Sequence, residues 1–223
     1  MKPLSDAKIV DSWSKNVSPW ITAIREGQIE SRKLVTDQAI INAVVSRSPR
    51  SVLDIGCGEG WLARALAVEG IRVVGVDVIP GLIVQAQESG GGDFRVASYE
   101  EIAAGSLHLS VDVVVCNFAL LGKESVEGLF RAVPPLLNPH GSFIVQTLHP
   151  VVACGDLPYQ DGWREGSWGG FSAGFTDPAP WYFRTLESWI KLFAVSGLRL
   201  SELHEPLHPR TRKPASVIFV AEV

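Results

Sequence analysis

Cysteine is scarce in this chain. Only Cys57, Cys116 and Cys154 occur among 223 residues. The number is odd, the spacing suits no metal site, and two of the three fall in apolar, core-type segments. A disulfide framework is excluded, and a reducing, cytoplasmic setting is the expectation. The first residues, Met1-Lys2-Pro3-Leu4-Ser5-Asp6, hold no apolar signal core, and no apolar run is long enough to span a bilayer. Membrane partners are therefore not expected. A basic excess is missing as well. Lysine and arginine total 20 against 24 acidic residues, for a net charge of -4, so the electrostatic footprint of a nucleic-acid binder is lacking. Arg210-Thr211-Arg212-Lys213 reads as a small solvated loop. There is no internal repeat, no Ser-His-Asp elbow and no metal-ligand spacing, so no metal is expected.

What the chain does have is apolar mass, 46% of its residues. At this length it reads as one domain, 1–223, with a large core. The most informative stretch is Ser51-Val52-Leu53-Asp54-Ile55-Gly56-Cys57-Gly58-Glu59-Gly60-Trp61-Leu62. It reads as a buried strand, a glycine-rich turn and a helix starting near Glu59. Alternate glycines allow a sharp turn and let a ligand approach without meeting a Cβ. The helix start directs free N–H groups at that ligand. A dinucleotide fingerprint places a third glycine where Trp61 stands, and its pyrophosphate does not welcome a carboxylate such as Asp54 beside it.

The remaining chain alternates strands and helices. Residues 1–48 hold two or three helices, with Trp13, Val17, Trp20, Ile21 and Ile24 on an irregular apolar face and Asp37 a candidate cap for the last. Further strands are expected at 71–77, 94–98, 111–118, 142–148, 198–203 and 215–223. Asp77 closes the second, roughly 20 residues after the first glycines, where an acidic side chain can meet a ribose diol. Helical periodicity vanishes between His149 and Tyr182, a stretch of glycines, prolines and aromatics. Disordered segments are poor in aromatics. Residues 150–182 are therefore expected to form an ordered lid or pocket wall.

Asp-x-Gly-x-Gly-x-Gly followed by Asp77 resembles the first two motifs of the class I S-adenosylmethionine (SAM) dependent methyltransferases, in their small-molecule branch. The resemblance spans Ser51 to Phe118 by motif and runs on to Val223 by element order. It implies an α/β, Rossmann-like, seven-stranded and mostly parallel sheet. Helices would cover both faces, the last strand would be antiparallel, and an N-terminal helical extension would precede the sheet. It also implies SAM as cofactor and a small-molecule methyl acceptor as the partner of a monomer or homodimer. The cofactor residues it points to are Arg32, Asp54, Gly56, Cys57, Gly58, Gly60, Asp77, Val78, Ile79, Ser98, Tyr99, Asn117 and Phe118. Arg32 is the expected grip on the cofactor carboxylate, or else a surface arginine at a helix start. Ser98 and Tyr99 stand where the family usually has an acidic adenine contact, and a plain strand-end turn serves them equally well.

The acceptor site is expected from Trp163, Trp168, Phe171, Tyr182 and Arg184. His149 is the candidate catalytic side chain, able to orient the acceptor or take its proton, or else a structural histidine. A nicotinamide-dependent oxidoreductase and a non-catalytic SAM-binding module are the alternatives.

Overall fold

The computed structural model describes residues 4–223. Helices α1 (Asp6–Lys15), α2 (Val17–Arg25) and α3 (Asp37–Val45) precede the sheet. A single π-helical turn, Arg32–Thr36, leads directly into α3. Then come β1 (Ser51–Ile55), α4 (Trp61–Val68), β2 (Arg72–Asp77), α5 (Pro80–Ser89), β3 (Asp93–Val96), α6 (Tyr99–Ala103), β4 (Val111–Asn117), α7 (Glu124–Ala132) and β5 (Leu137–Thr147). The chain closes with α8 (Pro150–Ala153), β6 (Gly162–Arg164), β7 (Trp181–Phe183), α9 (Leu186–Val195), β8 (Arg199–His204) and β9 (Val217–Glu222).

Seven strands form one sheet in the order β3-β2-β1-β4-β5-β9-β8, and β6 pairs with β7 in a separate ribbon. Neighbours from β3 to β5 are parallel, whereas β9 runs antiparallel to both β5 and β8. Strand order reverses between β1 and β4, and a crevice opens at the carboxyl ends of strands at such a reversal. Alternation along the strands explains the two covered faces. Leu53, Ile55, Val114, Cys116, Phe143, Val145 and Phe219 face a cluster with Phe130, Trp189 and Phe193. Val52, Val113, Val115, Ile144 and Val220 face the opposite one, with Ile40, Val44, Leu62 and Leu66.

Some boundaries differ from the sequence reading, each for a local reason. Helix α4 begins at Trp61 because Gly60 adopts a left-handed φ of 84° and caps it. Asp37 is the first residue of α3, not its cap, and its carboxylate accepts from Arg32 Nε at 2.9 Å. Strand β5 starts early, at Leu137, because that residue pairs with Val111 across an irregular register, while Asn138 Nδ2 donates to Asp112 Oδ1 at 2.8 Å. The stretch without periodicity, 150–182, holds a short helix and the ribbon rather than a continuous loop.

Phe130 ties one face together. Its ring lies 5.1 Å from Phe143 and 4.9 Å from Phe193, and it is fully buried. Truncating a buried phenylalanine costs about 3–5 kcal/mol. Phe130→Ala should lower the unfolding free energy by about that much in urea titrations. Val195→Ala, on the exposed side of α9, should change it by less than about 0.5 kcal/mol.

Candidate functional site

The glycine turn after β1 builds the floor of the site. Gly56, Gly58 and Gly60 all have positive φ, at 76°, 58° and 84°. A Cβ on Gly56 would stand 2.3 Å from the Ala119 Cβ, and one on Gly60 would stand 2.8 Å from the Phe94 ring. Backbone N–H groups of Gly56 and Cys57 both donate to Val76 O, at 2.8 and 3.0 Å, which fixes the turn to the end of β2. Asp77 completes the arrangement. One carboxylate oxygen accepts from Gly58 N at 3.0 Å and the other from Ile79 N at 2.9 Å. Burial pushes the Asp77 carboxyl upward, and these backbone N–H groups pull it back.

A cavity of about 470 Å³ opens over this floor. Of the residues proposed to bind a cofactor, Arg32, Gly56, Cys57, Gly58, Asp77, Val78, Ile79, Ser98, Tyr99, Asn117 and Phe118 line it. Asp54 and Gly60 are buried behind the turn. Of the residues proposed for the acceptor, Trp168 and Phe171 line it as well. Trp163 and Tyr182 instead face each other across the ribbon, 5.6 Å between ring centroids, away from the cavity lining. Arg184 also lies off the cavity. Its guanidinium donates to Gly122 O and Lys123 O at 2.8 and 3.1 Å, holding the loop that forms part of the wall. His149 is buried outside the lining, with Nε2 2.7 Å from Glu205 Oε1.

Several wall residues had no functional signal in the sequence. Trp13 and Trp20 belong to the N-terminal helices, and both line the cavity. Their spacing of seven places them on one side of a helical path, the only hint the sequence offers. Trp13 packs edge-to-face on Trp20 at 4.9 Å and on Trp168 at 5.7 Å. Asn16, fully buried at the corner between α1 and α2, fastens the wall. Its Nδ2 donates to Ser12 O and Thr176 O, and its Oδ1 accepts from Thr176 N at 2.9 Å. Asp6 anchors the other end of α1 by accepting from Lys123 N and Ser125 N at the start of α7, at 2.9 and 2.7 Å.

Chemistry at the site follows from protonation and unmet hydrogen bonds. Burial pushes the Cys57 thiol and the Tyr99 phenol upward, so both stay neutral at pH 7. Tyr99 Oη donates to Ala119 O at 3.1 Å. Glu59, fully buried, is neutralised by Arg64 at 2.6 Å and by Arg25 at 3.6 Å. Among the described residues five buried side-chain polar atoms have no partner: Arg32 Nη2, Thr36 Oγ1, Asp54 Oδ2, His149 Nδ1 and Ser196 Oγ. Arg32 lies in the wall with its guanidinium 4.6 Å from the Trp61 ring centroid. Burial, reinforced by the nearby Asp77 carboxylate, pushes Asp54 up to about 7. Among the described residues no cluster of histidine, cysteine and acidic side chains could hold a metal, and no helix is long and apolar enough to cross a membrane.

A glycine turn at a strand reversal, with an acidic residue ending the next strand, defines a nucleoside-binding α/β fold. Residues 52–141 match the family described as "Methyltransferase domain". The matched segment runs from β1 into β5, and the seven-stranded topology is the fold of the class I, S-adenosylmethionine-dependent methyltransferases. Similar proteins include the ubiquinone biosynthesis O-methyltransferase of Xanthomonas axonopodis pv. citri (strain 306). It is 34% identical over 114 residues, 49% of this chain and 47% of that protein. The chain thus spans about half the length of the curated relatives it matches. Among solved structures, magnesium protoporphyrin IX methyltransferase from Synechocystis PCC 6803, with bound SAH, aligns with a TM-score of 0.68. The identity is 17%, over 98% of this chain and 99% of that one. An S-adenosylmethionine-dependent methyltransferase from Mesorhizobium loti aligns with a TM-score of 0.63 at 21% identity, over 83% and 96%.

The buried Asp54 has a consequence for stability. Its carboxyl titrates near 7 in the folded chain and near 3.8 when exposed. Between those values the folded state holds one proton more than the unfolded state, so this group's contribution makes stability fall as pH rises. Asp54→Asn cannot titrate. Urea unfolding at pH 5 and pH 7.5 should show a larger loss of stability over this interval in the wild type than in the variant.

Proposed function

We propose that the chain transfers a methyl group from SAM to a small-molecule acceptor in the cavity over the glycine turn. The observation that carries this reading is the buried, unpartnered Arg32 Nη2 in the wall of a cavity whose floor holds Asp77 and the glycine turn. A cation with an open donor suits the cofactor's carboxylate, which a guanidinium grips through parallel hydrogen bonds. Asp54 Oδ2 is an unpartnered atom behind the same turn and off the cavity lining, so it would act on the cofactor's amino end only through the turn. Asp77 still has lone pairs for ribose hydroxyls, since each oxygen takes only one backbone N–H. Val78, Ile79, Ser98 and Tyr99 would flank the base.

When bound, SAM supplies a methyl already activated on a sulfonium. The chain's task is then placement and exclusion of water. Orientation alone can contribute about 7–11 kcal/mol of the barrier. The wall formed by α1, α2 and the 165–177 segment would shield the transfer from solvent. His149, held by Glu205 away from the cavity lining, supports a structural role better than a catalytic one. Trp168 and Phe171 stay candidates for the acceptor wall, with Trp13 and Trp20 added. Trp163, Tyr182 and Arg184 act at one remove, by shaping the ribbon and the 121–123 loop.

Calorimetric titration with SAM tests the reading. A hydrogen bond to a charged acceptor is worth about 1.5–3 kcal/mol, so Asp77→Ala should weaken binding tenfold or more. Arg32→Lys keeps the charge but loses the planar fork, and should also bind SAM more weakly. Unchanged affinity in both folded variants would return these side chains to structural roles. A thermal shift with NAD and none with SAM would favour the oxidoreductase reading instead.

A further inference from the structure

The aromatic wall, which meets the glycine turn where Trp20 Nε1 approaches Gly58 and runs from there to Trp13, Trp168 and Phe171, bears on what the acceptor is, on the reading that this site transfers methyl groups. Trp13, Trp20, Trp168 and Phe171 are all half-buried, with ring surface left bare in the cavity. Three pairs meet nearly at right angles, 82° between Trp13 and Trp20, 82° between Trp13 and Trp168, and 77° between Trp168 and Phe171, whereas Trp20 and Phe171 lie 33° apart at 6.5 Å between centroids. Rings set perpendicular to one another make a corner rather than a slot, and a corner suits a tetrahedral group better than a flat one. Trp168 has already spent its indole N–H on Thr176 O at 2.9 Å, so it offers the cavity its ring and no donor.

The charges around the cavity are mostly of one sign. Among the described residues Asp6, Glu59, Asp77 and Glu100 line it, with Arg32 as the basic side chain. Glu59 is matched by Arg64 and Arg25, and Arg32 by Asp37. Glu100 and Asp6, the latter tied to the Lys123 and Ser125 N–H groups, also line an adjoining groove between α1, α6 and α7. That groove adds Glu124, paired with Lys123 at 3.3 Å. A field of carboxylates around a cavity raises the local concentration of cations.

We propose that the acceptor compartment takes an apolar molecule that carries an ammonium group, held against the tryptophan corner; the atom that accepts the methyl is a different one on the same molecule, since a protonated nitrogen has no lone pair. Ring faces attract a desolvated ammonium, tryptophan most strongly, and the same rings bury the apolar body of the ligand. An anionic acceptor would pass Asp6 and Glu100 and find Arg32 already engaged by Asp37 and, on the reading above, by the cofactor's carboxylate. A neutral planar one would use the rings but gain nothing from the field.

The test uses the full chain and intrinsic tryptophan fluorescence, titrated with three probes in the presence and absence of S-adenosylhomocysteine. The probes are benzyltrimethylammonium, its uncharged carbon isostere neopentylbenzene, and the anion phenylacetate. The expected result is that the ammonium binds at least tenfold more tightly than either of the others. A smaller preference in the wild-type chain overturns the proposal without recourse to any variant. Trp168→Leu should reduce the preference. If that variant does not fold, Trp168→Phe keeps a ring but a weaker one, and should lower the preference less. Calorimetry with S-adenosylhomocysteine alone separates this proposal from the reading it rests on. Ammonium selectivity without nucleoside binding upholds the aromatic corner and removes the cofactor assignment. Nucleoside binding without ammonium selectivity does the reverse.

Discussion

The site depends on a backbone constraint at three alternate glycines. With positive φ at Gly56, Gly58 and Gly60, the chain leaves β1, folds against the end of β2 and enters α4 within five residues. A side chain at the first would collide with Ala119 and one at the third with Phe94, so space as well as dihedral preference demands glycine there. Because the turn is so tight, Gly58 N reaches Asp77 and the N–H groups of Gly56 and Cys57 reach Val76. The glycine floor and the acidic end of β2 therefore form one hydrogen-bonded unit. Loosening either would displace the other.

Against this rigid floor stands a wall assembled from distant parts of the chain. The α1–α2 corner and the 165–177 segment touch through Trp13 on Trp168 and Trp20 on Phe171. What locks them is the Asn16 amide, which exchanges two hydrogen bonds with the Thr176 backbone much as a neighbouring strand would. Such a buried polar link is costly to leave half-satisfied. It fixes the two segments in one relative placement more strictly than the aromatic contacts could. The opposite end of α1 is tied by Asp6 to the start of α7. The wall thus has two polar fastenings and an apolar, aromatic inner surface between them.

Much of this was legible in the sequence, because the responsible signals are local. The β-branched runs mark buried parallel strands, glycines mark the turn, and Asp77 follows at the spacing a βαβ unit imposes. Eleven of the proposed cofactor positions share one cavity for that reason. The aromatic segment was harder to resolve. Trp163, Tyr182, Trp168 and Phe171 are equivalent by composition, and only pairing separates them. Trp163 and Tyr182 are consumed by the ribbon, whereas Trp168 and Phe171 fold back on the N-terminal helices. Trp13 and Trp20 escaped notice because their helices read as ordinary amphipathic packing. The contact that makes them wall residues spans some 160 positions through Asn16 and Thr176. His149 has a neighbour that its sequence position does not disclose. Its place after β5 points to the ligand end of the sheet, but Glu205, from the loop after β8, captures the ring.

The same physical logic explains why the cavity is furnished as it is. Titratable groups at its floor are held by burial in their uncharged forms, as with Cys57 and Tyr99, or are paired, as with Glu59. Asp77 and Arg32 keep hydrogen-bonding capacity in reserve, the first on its carboxylate lone pairs and the second on Nη2. A group in reserve is expensive unless a ligand completes it, since a buried polar atom without a partner costs about 1–3 kcal/mol. Arg32 offsets part of that cost through Asp37 and the Trp61 ring. Around the glycine turn the unmet polar atoms are thus few, and the aromatic wall beside it is apolar. This division suits a reaction whose electrophile is brought in ready-made and whose barrier falls mainly through alignment.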